Sequence, residues 1–189
     1  MSHPRLFHFS EDPAIEVFEP RPVRVPSARP GGRDWLNGPL VWAIEEARAA
    51  MYLFPRDGPR IVLWRTPDTT AEDLARWWGG RDCQAIAHIE WRWFERVTAA
   101  SIHRYEFAPG GFESLEDAGM WVSQTAERPI AVETLAGLPA AMAAAGVELR
   151  IMDNLTPLRD VWSTSLHASG VRLRNATGWD GPTPGPVRP

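Results

Sequence analysis

Several features are scarce or missing in this sequence, and each absence excludes a class of protein. The 189 residues include one cysteine, Cys83, so neither an internal disulfide nor an all-cysteine metal site can form. No run of about 18 apolar residues occurs, which argues against a transmembrane helix and a membrane partner. The N-terminal stretch lacks the apolar segment of a secretory signal. These absences predict a cytoplasmic protein.

Lysine is also missing: all 20 basic residues are arginines. The net charge of the chain is -4. An acidic balance argues against a nucleic-acid surface that covers the whole protein. Hydrophobic residues make up 44% and charged residues 23%, which is the balance of a folded globular chain. The length is that of one ordinary domain. We therefore predict a single globular domain over 1–176 and a Gly/Pro-rich flexible tail over 177–189.

The spacing of apolar and turn residues predicts short strands with fewer helices between them. Strands are expected at 5–10, 40–44, 60–65, 84–90, 101–108, 120–123 and 147–152. Helices are expected at 45–54, 70–78, 91–100, 135–145 and 155–166, the second beginning with a capping box at Thr70 and Asp73. The Pro/Gly-rich segment 19–39 is expected to be a loop without a helix. Strict strand–helix alternation is absent, so we predict an α+β fold with a mixed, mainly antiparallel sheet and flanking helices.

The strongest candidate site lies near the start of the chain. His8 and Ser10 are two positions apart on the first predicted strand, so their side chains share one face. Tyr52 lies on the helix that follows Trp42. An imidazole and an aromatic ring on neighbouring elements can hold a flat heterocycle and its ribose. We predict that His8 and Tyr52 are catalytic and that Ser10 and Trp42 bind substrate; the alternative is that Tyr52 packs and His8 bonds to backbone.

Arg21 and Arg56 complete this candidate site. Guanidinium groups bind phosphate oxygens in pairs, so these two arginines are expected to neutralise the phosphates of a nucleotide ligand. By themselves the residues assign no cofactor, no metal ligand and no oligomeric state.

Two other classes of function stay open. A non-catalytic ligand-binding or interaction domain would present an apolar pocket lined by some of the ten tryptophans, namely Trp42, Trp64, Trp91 or Trp121. A metal-dependent hydrolase would be built on His8, His88 and His103. No pair of histidines has the spacing of a zinc site, which argues against the hydrolase.

Most of the chain resembles an uncharacterised bacterial family of unknown function, over residues 5–176. The segments that carry the resemblance are 6–11, 15–22, 41–44, 52–60, 105–106, 146–150 and 172–176. The family implies no activity.

A second resemblance concerns patterns only. Segments 6–10, 41–43, 105–107, 119–123 and 128–130, with Ala47 and Tyr52, are similar to ADP-ribosyltransferase-like domains of the RNA 2'-phosphotransferase and rifampin-modifying types. This resemblance implies a nucleotide-using transferase with NAD as the candidate cofactor, in which His8 orients the ribose or phosphate. The sequence departs from that pattern at two places. Phe9 stands where those enzymes have a glycine, and Ser123 and Gln124 stand where they commonly place a glutamate, with Glu127 nearby.

Overall fold

The fold is seen in a computed structural model that describes residues 4–23, 26 and 30–179. The strands are β1 (Leu6–Ser10), β2 (Val41–Glu45), β3 (Arg60–Trp64), β4 (Ala85–Glu90), β5 (Ile102–Phe107), β6 (Glu113–Ser114), β7 (Met120–Ser123), β8 (Ala131–Leu135), β9 (Val147–Met152) and β10 (His167–Val171). The α-helices are α1 (Ala71–Asp73), α2 (Trp91–Ala99) and α3 (Leu138–Ala144). A π-helical turn, Leu74–Trp78, continues α1, and 3-10 segments occupy Pro30–Asn37, Glu46–Tyr52, Pro109–Gly111, Thr156–Ser163 and Leu173–Asn175. The predicted α+β class is confirmed.

The chain divides into two compact units, each built from two separate stretches of sequence. Unit 1 comprises Met1–Leu53 and Ser101–Ala136, and unit 2 comprises Phe54–Ala100 and Gly137–Pro189. Unit 1 holds a six-stranded sheet in the order β6-β7-β2-β1-β5-β8, in which every pairing is antiparallel. Unit 2 holds a four-stranded sheet in the order β10-β3-β4-β9, in which β4 and β9 run parallel. The single domain over 1–176 stays a prediction.

The sheet of unit 1 is covered on both faces. Side chains of β1 alternate, so Leu6, His8 and Ser10 lie on one side, called face A here, and Phe7 and Phe9 lie on the other, called face B. The buried cluster that includes Leu6 consists of Leu6, Phe18, Val41, Ala43, Tyr105, Phe107 and Phe112. Trp42 and Met120 pack against a second cluster, formed by Leu36, Leu40, Leu115 and Val122. Each fully buried side chain of this kind contributes about 2 kcal/mol.

The core of unit 2 is rich in indole rings. Its buried cluster contains Ile61, Leu63, Trp78, Ile86, Leu155, Leu158, Val161, Trp162, Leu166, Ala168, Leu173, Ala176 and Trp179. Trp179 is 6% exposed and its ring lies edge-on to that of Trp162. The chain therefore takes part in the core as far as Trp179, and the remainder of the predicted tail, 180–189, lies outside the described residues.

Most local predictions hold, and the failures have physical causes. The strands at 120–123 and 147–152 have their predicted bounds. The capping box is confirmed, because Thr70 Oγ1 accepts a hydrogen bond from the Asp73 N–H at 3.2 Å. The loop predicted over 19–39 is wrong at the 3-10 segment Pro30–Asn37, since proline is tolerated at a helix start and a 3-10 turn needs few consecutive bonds.

Candidate functional site

β1 and β2 separate partway along their length. The antiparallel ladder between them consists of two residue pairs and ends at Phe7 and Ile44. β1 continues to Ser10 and β2 begins at Val41, yet no further pair joins these two fully described strands. Backbone groups that a regular ladder would use must therefore find other partners here. We call this point the fork.

The imidazole of His8 lies at the fork. Its Nδ1 is 2.8 Å from the carbonyl oxygen of Trp42, so the tautomer protonated at Nδ1 donates to that carbonyl. The ring centroid is 4.8 Å from that of Phe18. His8 is half-buried. The interpretation that His8 bonds to backbone is confirmed. At the fork, the His8 side chain supplies the Trp42 carbonyl with a hydrogen bond that the ladder between β1 and β2 does not make.

Ser10 shares face A with His8, as the period-two spacing predicts. It is 5% exposed, and its Oγ accepts a hydrogen bond from the backbone N–H of Asp12 at 3.1 Å. On β5 it lies opposite His103, whose Nδ1 is 3.0 Å from Thr134 Oγ1. In this structure Ser10 shapes the turn that follows β1, and its predicted substrate-binding role stays a prediction.

Tyr52 lies on the other side of the sheet. Its ring is nearly parallel to that of Phe9, with an interplanar angle of 13° and centroids 6.0 Å apart. Because Phe9 is next to His8 on β1, the two side chains point to opposite faces. The structure therefore does not bring the imidazole of His8 and the phenol of Tyr52 together, which corrects the expectation that the two rings hold one heterocycle. Catalytic roles for the two residues stay predictions.

Trp42 lies on the same face as Tyr52. It is opposite Val122 on β7 and packs against the same cluster as Met120. The Tyr52 hydroxyl donates to Met120 Sδ at 3.5 Å. We call Phe9, Trp42, Tyr52 and Met120 the aromatic site; all four side chains are partly buried. Sequence reasoning missed Phe9 and Met120, although the alternation from Phe7 to Phe9 was a signal for the former.

Two cations that lie over the ring of Phe7, on the same side of the sheet as Phe9, are paired with carboxylates. Arg104 lies opposite Phe9 on β5, and its Nη2 is 2.5 Å from Glu133 Oε2. Arg5 forms ion pairs with Glu46 and Glu106, and its hydrogen bond lowers the pKa of the Glu106 carboxyl below its usual value. A ligand at the aromatic site would therefore meet aromatic rings and a thioether. The guanidinium groups of Arg104 and Arg5 are already neutralised by carboxylates.

The two predicted phosphate-binding arginines lie in different units. Arg21 is exposed, and its backbone forms a bridge with Leu40 in unit 1. Arg56 is exposed in unit 2, where its carbonyl oxygen accepts a hydrogen bond from Arg172 Nε at 3.2 Å. Their phosphate-binding role stays a prediction.

A carboxylate–hydroxyl group lies at the end of β7. Ser123 is 3% exposed, and its Oγ donates to Glu127 Oε1 at 2.6 Å. The backbone of Glu127 forms a bridge with Phe18, whose ring contacts His8. A Cβ at Gly111 would be 2.1 Å from Glu127 Oε1, so a side chain at this position would displace the carboxylate from where it lies. Glu127 is thus linked to His8 through Phe18.

The histidines do not form a metal centre in the part of the chain that is described. Within residues 4–23, 26 and 30–179, no three His, Cys, Asp or Glu side chains group as metal ligands would. His88 is buried in unit 2, and desolvation, with the nearby Arg150, lowers its pKa to about 4. The hydrolase alternative gains no support. None of the described helices has the length and apolar character needed to cross a bilayer.

Comparison with protein-family models matches residues 7–176 to DUF6886, a family of unknown function. Because this match covers most of the chain, the protein belongs to that family. Neither the curated proteins nor the solved structures gave a match. The predicted resemblance to a family of unknown function is confirmed over residues 7–176, and it brings no activity with it.

Proposed function

We propose that unit 1 binds a small planar heteroaromatic ligand, such as a nucleobase or nicotinamide, at the aromatic site. The observation that carries the proposal is the near-parallel pair of Phe9 and Tyr52, two partly exposed rings with centroids 6.0 Å apart. Flat heterocycles stack on such rings in an offset arrangement. The Met120 thioether, held by the Tyr52 hydroxyl, adds a polarisable contact.

The surrounding charges favour the ring of such a ligand over its phosphates. Arg104 already holds Glu133, and Arg5 holds Glu46 and Glu106. An anion would have to displace a carboxylate before it met either guanidinium. The ligand class that we propose is therefore recognised by its flat ring, and a nucleotide binds through its base.

Isothermal titration with AMP, NAD, nicotinamide and inorganic phosphate tests this proposal. We expect the three ring compounds to bind and phosphate not to bind. Tyr52→Ala removes one stacking face and should weaken binding about tenfold or more, whereas Tyr52→Phe keeps the ring and should bind within about threefold of the unchanged protein.

The matched control is Trp91→Ala, which removes an exposed ring from unit 2. Equal affinity in Tyr52→Ala and the unchanged protein would overturn the proposal, and so would binding of phosphate alone. A loss in Trp91→Ala as large as that in Tyr52→Ala would assign the ligand elsewhere.

An ADP-ribosyltransferase-like enzyme is the second candidate, suggested by the sequence resemblance. One observation favours it: on face A, His8 packs against Phe18, which is bridged to Glu127, and Ser123 holds the Glu127 carboxylate. This candidate places NAD as the substrate and a bacterial cytoplasm as the setting, which the single cysteine supports. Transfer of the ADP-ribosyl group of NAD to water or to an added nucleophile, with release of nicotinamide, would support it if both His8→Ala and Glu127→Gln lose this activity. Stable NAD in the presence of the folded protein would exclude it.

A further inference from the structure

The two sheets present four edge strands, and β8 is the most exposed of them. Four of its five residues are exposed, against one of six in β9 and none in β10. β6 is two residues long. An edge strand points the N–H and C=O groups of every second residue away from its sheet, where another strand can pair with them. β8 is therefore the edge that is open to strand addition.

β8 lacks the features that usually protect an edge. Proteins blunt such strands with prolines, bulges or charged side chains. Between Ala131 and Leu135 the one charged residue is Glu133, and Arg104 on β5 neutralises it at 2.5 Å. Val132 is 54% exposed, and Ile130, the residue just before the strand, is 64% exposed. The strand thus offers hydrogen-bonding groups together with exposed apolar side chains.

We propose that β8 pairs antiparallel with β8 of a second copy of this chain. A two-fold axis at Val132 places the two Val132 side chains opposite each other and each Glu133 opposite an Ala131. This register joins the two valine side chains and keeps the carboxylates apart, whereas an axis at Glu133 would oppose like charges. The strand is self-complementary in the way that a two-fold interface requires.

The small area of the proposed β8–β8 contact sets the affinity that we expect for the dimer. A five-residue strand and two apolar side chains bury much less than a standard interface. We therefore expect a reversible dimer with a Kd of about 100 µM. The proposal does not depend on the ligand site.

Sedimentation velocity between roughly 5 and 500 µM protein tests the dimer. Association should strengthen with concentration in the unchanged protein. Val132→Lys places a charge at the centre of the contact, and Ile130→Lys places one at its end; each should weaken association about tenfold or more. The matched control is Ile151→Lys on β9, an exposed edge residue of unit 2 that should leave association unchanged.

Circular dichroism should show that all three variants keep the fold, because each substituted side chain is exposed. A monomer at every concentration would overturn the proposal. Equal association of Val132→Lys, Ile130→Lys and the unchanged protein would also overturn it, as would an Ile151→Lys variant weakened as much as the two β8 variants.

Discussion

At Gly111 an added side chain would displace a neighbour, because its Cβ would lie 2.1 Å from Oε1 of Glu127. In Gly111→Ala the new methyl group would force Glu127 away from the buried Ser123 hydroxyl. Loss of that hydrogen bond should lower the free energy of unfolding by about 1 kcal/mol, measured by urea denaturation.

Gly110 provides the control for this change. It is the preceding residue of the same turn, and no heavy atom lies within 4 Å of the position its Cβ would take. Gly110→Ala should change stability by no more than about 0.5 kcal/mol. Similar losses in the two variants would show that Glu127 does not occupy the position described.

His88 makes stability depend on pH. Burial lowers its pKa from 6.5 to about 4, so between these values the unfolded chain binds a proton that the folded chain does not. Stability contributed by the neutral ring is therefore complete above pH 6.5 and is lost as the pH falls towards 4. Between pH 8 and pH 5 the protein should lose roughly 2 kcal/mol more than His88→Leu. Parallel pH profiles for the two proteins would refute this.

The face of the sheet on which a side chain lies could be predicted from the sequence for some residues, and the contacts of others could not. The shared face of His8 and Ser10 followed from strand periodicity, because the backbone alone sets it. The contact of Tyr52 with Phe9 depends on which face the segment Glu46–Tyr52 covers, and no local pattern encodes that choice. The site could therefore be predicted in its parts but not in its assembly.

At the scale of elements, Thr70 anchors the start of α1. Its Oγ1 accepts from the Asp73 N–H and donates to Asp73 Oδ2, both at 3.2 Å. Thr70→Ala should lower the free energy of unfolding by about 1 kcal/mol, and Thr70→Ser should restore it. Thermal unfolding measures both.

Thr98→Ala is the control for the helix cap. Thr98 lies inside α2 and its Oγ1 bonds to the carbonyl oxygen of Glu95, so its loss should be neutral or slightly stabilising. If Thr70→Ala were as stable as the unchanged protein, the assignment of Thr70 as the N-cap of α1 would be contradicted.

Strands that carry an apolar run were predicted well, and strands without one were not. β3, β4 and β9 carry apolar runs that local patterns detect. β8 has no such run because most of its side chains face water, and β10 is interrupted by Gly170. The pairing of β8 with β5 is set by the sheet as a whole, so sequence periodicity gave no signal for it.

At the scale of the molecule, each unit combines two stretches that are far apart in sequence. Residues 54–100 separate the two stretches of unit 1. Composition and length predicted a globular chain, but they carry no information on which distant stretches pack together. The fork and the aromatic site arise from such long-range pairing. Residues of both could therefore be predicted from the sequence, but their geometry could not.

Methyl-labelled methionine offers the most direct test of ligand binding at the aromatic site. Met120 contacts Tyr52, whereas Met142 is buried in unit 2. When AMP is added, the stacked base should shift the methyl resonance of Met120 through its ring current and leave that of Met142 unchanged. Binding of AMP with an unmoved Met120 resonance, or no change in any methyl resonance at saturating AMP, would contradict the account.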